Sequence, residues 1–229
     1  MNSIAADAGV QRALGIIVLI NIAWVIAMGI EVKQFEIKNL ILGKFESPVA
    51  ALELAGSPQR VQDILDQGDR GKNIKVMTWN TWMDFLFIIL YCLTLWLLAD
   101  AYVTLSVLPL LAKIAIVVTG AFDIMENLQL CREFRMVAAL DPGMVSLTRS
   151  VSLTKWTAFA IVLGLLAMHY WLISGSSVLL KLIATSAGAA AGLTAVGLFH
   201  NPIINLMSWP LGLAILFTAI KFFPLRHHF

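Results

Sequence analysis

The chain has 229 residues, of which 59% are hydrophobic and only 13% are charged, and its formal net charge is +2. A soluble domain carries about 25% charged residues, and a chain of this length is too short to bury every helix on all sides. The composition therefore excludes an ordinary soluble protein and predicts an all-α bundle in a membrane, and the small net charge gives no sign of nucleic-acid binding.

Six stretches have the length and apolar character that a helix needs to cross a bilayer, which takes roughly 20 residues. They are Ala13–Ile30, Trp82–Ala99, Val103–Leu130, Val151–Ile173, Val178–Phe199 and Ile203–Phe223. They predict a single transmembrane domain over residues 1–229 with six transmembrane helices. The first stretch follows Arg12, as the apolar part of a signal peptide would, but the small-residue cleavage site after it is missing, which favours a retained helix.

The segment 31–78, between the first two stretches, is predicted to form a loop with short amphipathic helices. Its part SPVAALELAG (47–56) carries apolar side chains around one acid, Glu53, and Ser57-Pro58 then opens a polar helix over Gln59–Gln67. Both helices are too short to span a bilayer. They lie either on the membrane surface or over the ends of the transmembrane helices, where Glu53 would point inward.

The distribution of Lys and Arg predicts the orientation in the membrane. Seven lie between residues 31 and 78 and three between 132 and 150, whereas the loops around 100–102 and 174–177 have none. The positive-inside rule therefore predicts that 31–78 and 132–150 are cytoplasmic in a protein of the inner cell membrane, with both termini outside. Lys221 and Arg226, near the C-terminus, oppose this orientation.

Ionisable side chains within the predicted transmembrane helices mark a candidate site. Each costs about 2.5–3.5 kcal/mol at the centre of a bilayer, so it persists only when it is paired, hydrated or able to reach the interface. The predicted topology brings such groups from three helices to a similar depth near the cytoplasmic face, where Glu53 from the loop could join them. The candidate ligand- or ion-binding residues are Glu53, Asp84, Asp123, Glu126, Asn127 and Lys155.

Two interpretations of these residues stay open. Carboxylates that outnumber the single Lys155 in a low dielectric should not all be ionised, which predicts a pocket for a proton or a cation. The same residues also fit a structural knot in which Lys155 bridges the acids and fixes the register of the helices. A divalent cation would bind to the carboxylate oxygens, but Lys155 would compete with it. No metal site and no cofactor are predicted.

Three classes of function follow. The first is binding, with possible transport, of a small molecule, a lipid or an ion. The second is an accessory or structural subunit of a membrane complex. The third is a membrane-embedded enzyme that acts on a lipid-like substrate with a carboxylate as general acid or base, although no catalytic residue can be named. Membrane lipids are the expected partners, and the small residues of helix 178–199 could also pack against another protein or a second copy of the chain.

Four segments carry a resemblance to a known group of proteins. They are ALELAGSPQRVQDIL (51–65), MDFLFIILY (83–91), GAFDIMENLQL (120–130) and TKWTAF (154–159). In this order they resemble an uncharacterised family of bacterial integral membrane proteins with an ELAG-type loop, a DxxEN helix and a following lysine. The resemblance covers residues 46–160, implies a shared membrane fold and gives no activity. Its characteristic residues are the six candidate residues above, and 174–229 would be a C-terminal extension of two helices.

Overall fold

The computed structural model of the chain describes residues 4–5, 8–36, 47–103, 106–175, 177–197, 206 and 208–222. Nearly all of them are helical. The α-helices are α1 (Ala8–Val32), α2 (Pro48–Glu53), α3 (Pro58–Leu65), α4 (Arg70–Asp100), α5 (Leu108–Arg135), α6 (Pro142–Ile173), α7 (Val178–Gly197) and α8 (Ser208–Phe222). A 3-10 helix covers Val137–Ala139, and two short strands, β1 (Ile4–Ala5) and β2 (Tyr102–Val103), pair antiparallel. The prediction of an all-α fold is confirmed.

Five of these helices, α1, α4, α5, α6 and α7, are long and apolar enough to cross a membrane. Helix α8 has 15 residues and is therefore about 22 Å long, which is less than the roughly 30 Å of a hydrocarbon core. The predicted sixth stretch, Ile203–Phe223, begins and ends outside the described residues. The sixth transmembrane helix thus stays a prediction.

Four helices extend beyond their predicted ends, and the first of them, α1, begins at Ala8 instead of Ala13 and ends at Val32 instead of Ile30. Helix α4 begins at Arg70 instead of Trp82, α5 ends at Arg135 instead of Leu130, and α6 begins at Pro142 instead of Val151. The predicted loops 31–78 and 132–150 therefore contain helical turns. Hydropathy marks only the apolar part of a helix, whereas the backbone hydrogen bonds continue through polar turns built from good helix formers.

The predicted start of the third stretch was wrong. Val103 pairs with Ile4 in the short antiparallel β1–β2 contact, and α5 begins at Leu108. Pro109 follows at once in the first turn, where its missing N–H and fixed φ are compatible with a helix. The fifth stretch matches α7 within the described residues, and residues beyond Gly197 in that stretch lie outside them.

The contacts of the chain define two compact units. Unit 1 comprises Met1–Ala23, Leu90–Thr119 and Trp156–Phe229. Its core includes Leu14, Val18 and Tyr170, all nearly inaccessible. The buried Tyr170 hydroxyl donates a hydrogen bond to the carbonyl of Leu98 at 2.9 Å, so the polar group on this large side chain is satisfied. Helices α7 and α8 pack against each other within this unit.

Unit 2 comprises Trp24–Ile89 and Gly120–Lys155. Helix α3 contributes Val61, Ile64 and Leu65, all with no exposed surface, at the i, i+3, i+4 spacing of one helix face. They pack in one core with residues of α2, α4, α5 and α6. The fully buried Asn73 accepts from the backbone N–H of Glu36 at 2.8 Å and donates to the Leu65 carbonyl at 3.1 Å. The segment before α4 is thus held in the core by hydrophobic packing and by hydrogen bonds. The single-domain organisation stays a prediction.

Candidate functional site

The Lys155 ammonium on α6 is surrounded by carboxylates of unit 2. Its Nζ lies 2.5 Å from Oε1 of Glu126, 3.3 Å from Oδ1 of Asp123 and 3.5 Å from Oε2 of Glu53. No more than 7% of any of these four residues is exposed. One buried cation therefore connects α2, α5 and α6.

Helix α5 provides three polar residues on one face. Asp123, Glu126 and Asn127 follow the i, i+3, i+4 spacing that aligns side chains on a helix, and all three are buried. The Asn127 side chain donates a hydrogen bond to Oδ2 of Asp84 on α4 at 2.8 Å. Asp84 is half-buried and is close enough to Asp123 and Lys155 to interact with their charges. We call these residues, together with Glu53, the carboxylate–lysine cluster.

All six predicted site residues thus come together in unit 2. The contribution of Glu53 depends on how α2 is held. Pro48 stands in the first turn of α2, where proline favours a helix start, and Ala51 and Leu52 are 2% exposed in the core. This packing directs the last residue of the helix, Glu53, toward Lys155. The Glu53 side chain thus points toward Lys155, as expected for α2 lying over the helix ends, and the position of the loop relative to the membrane stays a prediction.

The cluster has an unequal charge balance. Four carboxylates (Glu53, Asp84, Asp123 and Glu126) accompany the ammonium of Lys155, which gives −3 if every group is ionised. Attraction to Lys155 offsets part of the repulsion between the acids, but ions removed from water lose several kcal/mol of hydration each. The arrangement therefore favours states in which some carboxylates hold a proton.

The centre of the cluster is occupied by a protein cation. Lys155 Nζ lies among the carboxylate oxygens, where a bound metal ion would have to lie. Within the described residues, no group of three or more His, Cys, Asp and Glu side chains is arranged to hold a metal ion. Carboxylate oxygens around a fixed positive charge are groups that can accept and release protons.

A seventh polar residue of this region was missed from the sequence. Glu133 on α5 has no exposed surface, and its Oε1 accepts a hydrogen bond from the Thr148 hydroxyl on α6 at 2.5 Å. Glu133 lies beyond the predicted end of the third stretch at Leu130, where the sequence predicts a loop. Its spacing of seven residues from Glu126, two helical turns on the same face, was the signal that could have identified it.

Lys113, another ionisable residue within the predicted third stretch, belongs to unit 1. It forms an ion pair with Asp100 and lies over the ring of Trp96, with Nζ 5.0 Å from the ring centroid. A carboxylate and an aromatic face both stabilise an ammonium. The positive charge of Lys113 is thus stabilised by groups of unit 1, not by the carboxylate–lysine cluster.

Comparison of the chain with models of protein families, with curated proteins and with solved structures finds no match. The family resemblance of residues 46–160 stays a prediction. The function proposed next is argued from the geometry of the cluster.

Proposed function

We propose that the protein is a multi-pass membrane protein that binds and releases a proton at the carboxylate–lysine cluster. The observation that carries this proposal is the contact of one buried ammonium, Lys155, with three carboxylates. Together with Asp84 these acids outnumber the cation, and a low dielectric opposes full ionisation. Uptake of a proton lowers the excess negative charge, and its release restores that charge.

A proton suits this site better than a larger ligand does. Lys155 already lies among the acids, and each of the four ion-paired residues is at most 7% exposed. A metal ion or an organic cation would have to displace the ammonium, whereas a proton adds to a carboxylate oxygen without needing space. Carboxylates that share protons at close range titrate as a coupled set, so the cluster would respond to pH as one unit.

The membrane arrangement that we propose follows the sequence. Five helices of sufficient length and apolarity support a membrane protein, and the apolar stretch 203–223 would form a sixth crossing. An even number of crossings puts both termini on the same side, which the positive-inside rule makes the outer side of the inner membrane. The cluster would then lie near the cytoplasmic end of α5.

A second candidate function is purely structural. Lys155 joins α2, α5 and α6 through three ion pairs, and a buried ionic network of this kind can fix the register of helices. Such a subunit would need the cluster for folding but would not exchange protons with the solution. The two candidates differ in one measurable quantity, the number of protons exchanged.

Difference titration of the purified protein tests the proposal. Wild-type protein and the Glu126→Gln variant are titrated in the same detergent, with Asp66→Asn as the control because Asp66 pairs with Arg70 on the exposed surface. We expect Glu126→Gln to change the number of protons that the cluster exchanges, whereas Asp66→Asn leaves the residues of the cluster in place. If the Glu126→Gln and wild-type curves coincide while both proteins stay folded, the structural candidate is the correct one.

A further inference from the structure

Two contacts repeat along the pair of helices α5 and α6. Lys155 bonds to Glu126, and Thr148 bonds to Glu133. The partners in the second contact lie seven residues later on α5 and seven residues earlier on α6, as expected for antiparallel helices two turns apart. Two turns correspond to about 10.5 Å along the axis. Glu133 is therefore the next buried carboxylate in line from the cluster toward the C-terminal end of α5.

Three buried oxygen atoms on this part of α5 have no hydrogen-bond donor among the described residues. They are Oε2 of Glu126, Oε1 of Gln129 and Oε2 of Glu133. Residues 126, 129 and 133 follow the i, i+3, i+7 spacing, so they share one face of the helix. Buried acceptors are costly unless a proton or a water molecule supplies the donor. A row of three such oxygen atoms on one helix face is an arrangement suited to proton transfer along the helix.

The surroundings of Glu133 differ from those of Glu126. Thr148 faces it from α6, and the neighbouring charged residues on its own helix, Arg132 and Arg135, are exposed. Among the described residues, no charged group forms an ion pair with Glu133. Glu133 can therefore gain or lose a proton without breaking an ion pair. It also lies half a turn from the end of α5 at Arg135.

We propose that Glu133 is a second proton-binding site that passes protons between water at the C-terminal end of α5 and Oε2 of Glu126. This inference rests on the proposed function of the cluster. A water-borne proton adds to Oε2 of Glu133 and forms an O–H bond. That bond then breaks as a new O–H bond forms on a water molecule held by Oε1 of Gln129, and this water in turn delivers a proton to Glu126. Lys155 stays an ammonium throughout, and Glu133 returns to its starting state.

The test follows the protonation of the cluster after a sudden change of pH. Full-length protein in detergent is subjected to a pH jump, and the infrared carbonyl band of protonated carboxyl groups is recorded with time. Glu133→Gln keeps an oxygen that accepts from Thr148 but cannot carry a proton. We expect it to slow protonation of Glu126 on the order of tenfold, which corresponds to about 1.4 kcal/mol in the barrier, and to leave the final amplitude of the Glu126 band unchanged.

Further variants keep the inference falsifiable. Gln129→Leu leaves Glu133 in place and should also slow the reaction, whereas the exposed Asp66→Asn should not. Wild-type kinetics in both Glu133→Gln and Gln129→Leu would overturn the relay. If Glu133→Gln does not fold, wild-type kinetics in Gln129→Leu alone would overturn it. The two proposals fail in different ways. A weaker band in Glu126→Gln together with unchanged rates in the other variants removes only the relay, but an unchanged band in Glu126→Gln removes the proposed function as well.

Discussion

The Lys155 ammonium lies 2.5 Å from a carboxylate oxygen of Glu126, and less than a tenth of either side chain is exposed. Because α5 and α6 run antiparallel, this contact also aligns Glu133 with Thr148 two turns away. A shift of one residue between the helices would break both contacts at once. The pair thus sets the register of the two helices, and it stands at the centre of the acids that would exchange protons.

Replacement of Lys155 by Met should strongly destabilise the protein. The change removes the cation and leaves Glu53, Asp123 and Glu126 as uncompensated buried acids, and breaking a buried pair in this way costs about 3–5 kcal/mol. Thermal unfolding in detergent measures the loss. The loss should be smaller at mildly acidic pH, since protons then neutralise the acids that the ammonium no longer balances.

Lys72→Met is the matched control for this substitution. Lys72 also pairs with a glutamate, Glu36, but its side chain is 47% exposed, and exposed pairs contribute about 0–1 kcal/mol. Adding Glu126→Gln to Lys155→Met should restore part of the lost stability because one unpaired acid is removed. Equal effects of Lys155→Met and Lys72→Met would contradict the central position of Lys155.

Replacement of Glu53 by Ala should loosen α2 while the rest of the protein stays folded. Glu53 connects this short helix to Lys155. A short segment that is held by few contacts opens more easily when one of them is removed. Hydrogen exchange of the backbone amides of residues 51–54 measures the effect, which we expect to be faster exchange there and little change in α6. Gln59→Ala, which removes only an exposed bond to Asp63, is the control. Unchanged exchange in α2 would show that Glu53 does not hold it.

The number of membrane crossings predicts where the C-terminus lies. With six crossings, a reporter fused to the C-terminus should lie on the same side as an N-terminal tag, the outer side of the inner membrane. The control is a chain that ends at residue 200, before the sixth stretch, and its reporter should lie in the cytoplasm. Activity of a secreted phosphatase and fluorescence of a cytoplasmic protein distinguish the two sides. Reporters on the same side in both chains would contradict a sixth crossing.

The helical repeat and the free-energy cost of placing ionised side chains in a membrane were sufficient to predict much of the candidate site. Asp123, Glu126 and Asn127 fall on one face because their spacing matches the helical repeat, and acids in apolar stretches need a partner such as Lys155. The contact of Glu53 with Lys155 depends on the packing of α2, so the sequence left two arrangements open. Glu133 was missed because its helix continues past the apolar stretch that hydropathy detects. The pairing of β1 with β2 was missed because it is a contact between distant parts of the chain and has no pattern in the sequence.

Infrared spectroscopy of protein labelled with ¹³C-glutamate tests the central claim, proton exchange at the cluster, most directly. The carbonyl band of a protonated glutamate is separated from that of an ionised one, and the label separates glutamate from aspartate. We predict a protonated-glutamate band that rises and falls reversibly with pH, and that is weaker in Glu126→Gln but unchanged in Asp66→Asn. A band of the same strength in folded Glu126→Gln as in the wild-type protein would contradict the account.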